Sequence, residues 1–149
     1  MAVAVDLVRA HLAAEDRGDV EAAMACFGAA PRYEIPAAGV DLRGRAAVAG
    51  HHAAMLAAFP DFANAGVELY DAGARVFARL RVERTHLGDW NGLAPTGRRI
   101  VTAALAEFPL GDDDLLAGEI VHLDPLDALH QLGALPTRDP FALARLVAR

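Results

Sequence analysis

Residues 74–86 read Ala-Arg-Val-Phe-Ala-Arg-Leu-Arg-Val-Glu-Arg-Thr-His, and their alternation sets the fold class. Val76, Ala78, Leu80, Val82, Arg84 and His86 fall on one side of an extended chain. Phe77, Arg79, Arg81, Glu83 and Thr85 fall on the other. The first set is apolar until its last two members, so one face is buried. That face turns polar at one end, as the mouth of a pocket would require; the other reading is that the strand leaves the core there.

Working outward, a strand from about Ala63 to Tyr70 turns at Asp71-Ala72-Gly73 into this one. A third long strand runs from Arg98 to Leu110 and turns at Gly111 to Asp114. A fourth, Leu115 to Leu123, ends at Asp124. Upstream the period changes to that of a helix. Val5, Val8, Leu12 and Glu15 recur on one stripe of a first helix that ends at Gly18. Asp19 caps a short second helix through Phe27, closed by Gly28. Short strands follow at Arg32 to Ile35 and Val40 to Leu42. A third helix, Gly44 to Phe59, carries Val48, His52, Met55 and Phe59 on its inward stripe and stops at Pro60. Helices followed by antiparallel hairpins predict an α+β domain over residues 1–135. Residues 136–149 form a tail with a short helix from Pro140.

Composition narrows the function classes. The chain has 149 residues, 54% hydrophobic and 23% charged, enough for one globular core. Its net charge of −6, without a basic stripe, predicts no nucleic-acid partner. No apolar stretch approaches the roughly 20 residues of a membrane span. The first residues lack a secretion leader, and Cys26 has no internal partner, so the expected setting is the cytoplasm.

The stretch Thr85-His86-Leu87-Gly88-Asp89-Trp90-Asn91-Gly92-Leu93-Ala94-Pro95-Thr96-Gly97-Arg98 resembles the Thr-His-x-Gly … Gly-x-x-Pro-Thr-Gly-Arg loop of the SnoaL-like polyketide cyclases. Phe59-Pro60-Asp61-Phe62 resembles that family's exit from the third helix. Asp124, seven residues before Gln131-Leu132-Gly133, resembles its closing pattern. The three segments keep family order over about Asp6 to Gly133. The resemblance implies a conical α+β barrel, a curved and mostly antiparallel sheet wrapped by N-terminal helices, shared with ketosteroid isomerase and nuclear transport factor 2. It implies closure of a ring on a polyketide-type molecule by an intramolecular aldol reaction without metal or cofactor. It also implies a homodimer or higher oligomer built on the open sheet face. The position matching the base of ketosteroid isomerase is Ile35, which cannot take a proton and argues against steroid-type isomerisation.

By this resemblance Asp124 is the general acid/base. A carboxyl at the end of an inward strand in an apolar cavity would have a raised proton affinity. Asp124-Pro125-Leu126-Asp127 reads equally as a helix N-cap, and the two roles are compatible. His122, two residues earlier, shares the face of Asp124 and could tune it or bind substrate; packing in the core is the alternative. His86 lies in the matched loop and is expected to order it or close the mouth. Of His51 and His52, one is expected to reach the cavity, with His52 on the inward stripe the candidate for substrate binding and packing its alternative. Tyr33 and Glu34 lie near the site in this fold, and Trp90 is a lid or packing residue. The histidines show no metal-binding spacing, and no phosphate loop or dinucleotide fingerprint is present. Two other functions stay open. Epoxide opening or ether-ring closure would need a second inward acid such as Glu34, Glu68 or Glu107. A non-catalytic binding protein would have a pocket lined only by apolar side chains.

Overall fold

The structure, a computed structural model, describes residues 2–148. Its elements run α1 (Ala2–Asp16), α2 (Val20–Ala25), β1 (Phe27–Ile35), β2 (Val40–Arg43), α3 (Arg45–Ala58), β3 (Ala63–Asp71), β4 (Arg75–Thr85), β5 (Arg99–Pro109), β6 (Leu116–Leu123), α4 (Pro125–Gln131) and α5 (Pro140–Val147). The strands form one six-stranded sheet in the order β2-β1-β6-β5-β4-β3. It is mostly antiparallel, curved and unclosed. Only β1 and β6 run parallel, which joins the N-terminal hairpin to the long strands.

Two adjoining boundaries move, the end of the second helix and the start of the first strand, which was expected at Arg32. The second helix was expected to reach Phe27, but it ends at Ala25, and Phe27 opens a nine-residue β1. Local apolar spacing permits either state. Tertiary pairing decides, because Phe27 aligns with Leu116 of β6 and both are buried. A helix through Phe27 would leave that part of β6 without its partner on the β1 side.

The helices cover the concave face. Val8, His11, Leu12 and Glu15 of α1 are all buried, at the spacing of one helical stripe. On β4, Val76, Ala78, Leu80, Val82 and Arg84 are buried, as the alternation predicts, and His86 beyond the strand end is buried too. In register with them, Ile100, Thr102, Ala104, Ala106 and Phe108 of β5 face the same way. The alanines of β5 leave room that larger residues would fill, so the concave face encloses a cavity. Asp139 caps α5, but that helix buries none of its residues.

Candidate active site

The cavity holds about 100 Å³ of space open to a water-sized molecule. Leu12 of α1, Ile35 of β1, Met55 and Phe59 at the end of α3, Leu80 and Val82 of β4, Ala104 and Ala106 of β5, and Val121 and Leu123 of β6 make it apolar. Against that wall stand Glu15, Tyr33, His51, Asn64, Arg84, Trp90 and Glu119.

Glu15 and Glu119 belong to one buried cluster. His11 Nε2 lies 3.3 Å from Glu119 Oε2 and 3.6 Å from Glu15 Oε1. His52 Nδ1 lies 3.3 Å from the same Glu15 oxygen. His11 Nδ1 is 3.1 Å from the carbonyl of Ala23, which fixes this nitrogen as a donor and leaves Nε2 to face the carboxylates. Asn64 Nδ2 donates to Glu15 Oε2 at 3.0 Å.

The proton affinities follow from this packing. Burial opposes a charge on His11, but Glu15 and the hydrogen bonds around it prevail and hold the imidazole well above its ordinary 6.5. Burial would likewise raise Glu15, yet His11, His52 and Asn64 outweigh it and the carboxyl titrates low. Glu119 is pushed up by burial and then by the charge of Glu15, with His11 compensating only in part. Burial lowers His52 to about 4, so it is neutral. Burial, then the charges of Glu119 and Glu15, keep the Tyr33 phenol well above its usual range. The wall therefore presents one ionised carboxylate, one carboxyl of raised proton affinity, and an imidazolium behind them. The donor atoms of His11, Glu15, His52 and Glu119 lie within 4.8 Å of one another, within reach of a single divalent cation. Linear spacing hides this set, because its members come from α1, α3 and β6.

The expected site residues divide. Tyr33 and Trp90 line the cavity. Of the two histidines of α3, His51 lines it, with its ring 4.4 Å from that of Tyr33; His52 lies behind, against Glu15. His86 is fully buried but stands off the cavity. Its Nδ1 accepts from Thr96 N at 3.2 Å and its ring packs 5.3 Å from Phe59, which orders the loop. Glu34 turns away and pairs with Arg32 at 2.9 Å.

The parity of β6 corrects the expectation for its end. Glu119, Val121 and Leu123 line the cavity, so His122 and Asp124 lie on the other side. His122 is exposed and its Nε2 meets Glu107 Oε1 at 2.7 Å on the outer face. Glu107 also takes Arg75, so it too points outward. Asp124 is exposed, and its carboxylate accepts from Leu126 N at 2.9 Å and Asp127 N at 3.2 Å. It caps α4 between two cavity-lining neighbours, Leu123 and Pro125. The helix N-terminus offers its free N–H groups to the carboxylate and holds it away from the apolar interior.

The residues missed in the sequence were His11 and Glu119, and Glu15 was placed on the inward stripe without a role. Their signal was present. His11 and Glu15 stand four residues apart on the apolar stripe of α1, and Glu119 shares parity with Val121 and Leu123.

Comparison with known proteins agrees with the fold. AclR from Streptomyces galilaeus, provisionally named a hydroxylase, superposes with a TM-score of 0.79 at 24% identity, covering 91% of this chain and 99% of its own. A protein of Pseudomonas putida KT2440, provisionally named a polyketide cyclase, gives 0.79 at 26% identity over 86% and 96%. A hypothetical protein with a ketosteroid isomerase-like fold from Catenulispora acidiphila gives 0.73 at 18% over 85% and 92%. No curated protein sequence matches the chain. The family model of the SnoaL-like polyketide cyclases matches residues 5–132, and the chain belongs to that family.

Proposed function

We propose that the protein closes a ring on an apolar, polyketide-type small molecule by acid/base catalysis, with Glu119 as the proton-transfer group. The observation that carries this reading is a carboxyl of raised proton affinity on the wall of an apolar cavity. In such a place a carboxylate can take a proton from carbon and return it at neutral pH. Glu119 would remove a proton next to a substrate carbonyl. The enolate carbon would attack a second carbonyl of the same molecule, and the alkoxide formed would take the proton back. The reaction is balanced without a co-reactant. His11 and Glu15 would hold Glu119 and set its proton affinity, and the apolar wall would fold the substrate and exclude water.

Glu119→Gln is the test. It preserves size and hydrogen bonding but cannot exchange a proton. Turnover of a linear polyketide-type substrate should fall by about a hundredfold or more, with an unchanged melting profile. Full turnover in this variant would remove Glu119 from the mechanism. Dialysis against a chelator separates the acid/base role from a metal role for the same donors: turnover should be unchanged. Epoxide opening is supported by a different feature of the wall, since Glu15 and Glu119 supply two inward acids. Hydrolytic epoxide opening adds the elements of water to the product, whereas ring closure by aldol addition gives an isomer of the substrate, so the product's mass separates the two.

A further inference from the structure

Arg84 has a use that ring closure does not require. It stands on β4 where the alternation calls for an apolar residue, and it is 5% exposed. No hydrogen bond or ion pair holds it among the described residues, and its buried Nε has no partner. Its guanidinium carbon lies 5.0 Å from the ring centre of Phe59 and 5.9 Å from that of Trp90, and all three side chains line the cavity. Stacking on aromatic faces compensates part of the charge but accepts none of the five N–H donors. A guanidinium does not escape burial by losing its proton, so its buried Nε–H needs an acceptor. Burial lowers its pKa only to about 10, with the neighbouring Tyr33 acting the other way. The cavity's own carboxylates do not reach it. Tyr33, which also lines the cavity, feels the charges of both Arg84 and the Glu119–Glu15 pair.

We propose that Arg84 is the anion-binding residue of this cavity and that its ligand is an apolar small molecule carrying one free carboxylate. The proposal takes the cavity as the ligand site, as the functional reading does, but it does not depend on Glu119 as a base. The planar fork of a guanidinium matches the two oxygens of a carboxylate, and the stacked aromatic rings hold that fork in one orientation. An ester or amide at the same place offers a neutral acceptor and leaves the charge uncompensated. Arg84 thus selects a free acid over its ester, and fixes which end of the ligand lies away from Glu119.

Equilibrium binding tests this without turnover. Trp90 is the chain's single tryptophan and lines the cavity, so its fluorescence reports occupancy. The probes are decanoate and 4-phenylbutyrate, each against its methyl ester, at pH 7. The wild-type protein should bind each acid about tenfold or more tighter than its ester, as expected for a charge-assisted pair in a desolvated site. Arg84→Met should abolish that preference, read as the ratio of acid to ester affinity within the same variant; Arg84→Lys should keep part of it. Glu119→Gln should retain it, so failure of the acid/base reading leaves this result standing. Equal binding of acid and ester by the wild-type protein overturns the proposal, and that comparison needs no variant. Retention of the preference in Arg84→Met, or no binding of any probe, overturns it as well.

Discussion

At Asp124 the carboxylate is already engaged by two backbone N–H groups of α4. Asp124→Ala should therefore cost about 0.5–2 kcal/mol of stability, read from denaturant midpoints. Asp124→Asn, which caps about as well, should keep both stability and turnover; a large loss of turnover in this variant would restore the acid/base role implied by the family. His52 makes a pH prediction. Burial lowers it to about 4, opposed by Glu15 and reinforced by His11 and His51. Between pH 6.5 and about 4 the unfolded chain takes up a proton that the folded chain refuses, so stability falls as the pH falls through that window. Glu15 acts in the same sense below its ordinary 4.5, because its folded carboxyl titrates lower. His11 acts in the opposite sense. Its contribution is complete below 6.5 and fades as pH rises through its raised folded value. His52→Asn should flatten the acid loss between pH 6.5 and 4, and an unchanged slope would show that His52 is charged in the folded protein.

Among the elements, the loop between β4 and β5 depends on its contact with α3. Leu87 N and Gly88 N both donate to the carbonyl of Ala58, at 2.9 and 3.0 Å. A Cβ at Gly88 would collide with the backbone carbonyl of Ala57, which has no flexible end to yield. Gly88→Ala should displace this loop and with it Trp90, at a cost of about 1–3 kcal/mol. The check is a change in tryptophan emission together with lower stability. If both stay at wild-type values, α3 and the loop adjust more easily than backbone packing allows. The same contact explains why Phe59-Pro60 ends α3 where it does. Pro60 stops the helix, and the chain turns so that Phe59 packs against His86, Trp90 and Arg84.

For the whole molecule, the sheet has a covered concave face and an open convex one. On the convex side Tyr70 is 52% exposed and Leu105 40%, among Glu68, Arg79, Arg81 and His122. We propose that a second copy of the chain covers this face, since apolar residues framed by paired charges suit an isologous contact. Light scattering at micromolar concentration should give about twice the 15.7 kDa of one chain. Leu105→Glu should shift the population toward one chain; a wild-type monomer at that concentration would exclude the contact. No helix among the described residues is long and apolar enough to cross a membrane.

By itself the sequence determined which segments are strands and which helices, the start of β1 apart, and which side of β4 is buried. Period-two and period-3.6 patterns are local, and each residue from Val76 to Arg84 carries its own vote on which face is apolar. The loop from Thr85 to Arg98, together with Phe59 to Phe62 and Asp124 to Gly133 in the same order, also pointed to the family, because such motifs are fixed in order along the chain. Tertiary structure alone decided the site. Whether Asp124 or Leu123 faces inward depends on a one-residue choice of parity at the end of β6, and a helix N-terminus captured the carboxylate. The extension of β1 back to Phe27 came from pairing with β6, far away in sequence. The cluster of His11, Glu15, His52 and Glu119 spans three elements, and no spacing rule measures a distance across the core. Arg84 was legible as the polar end of an inward face; that it has no acceptor there became visible only when every neighbour had been placed. Proton affinities and unmet hydrogen bonds depend on what surrounds a group on all sides, and that surrounding is made only by folding.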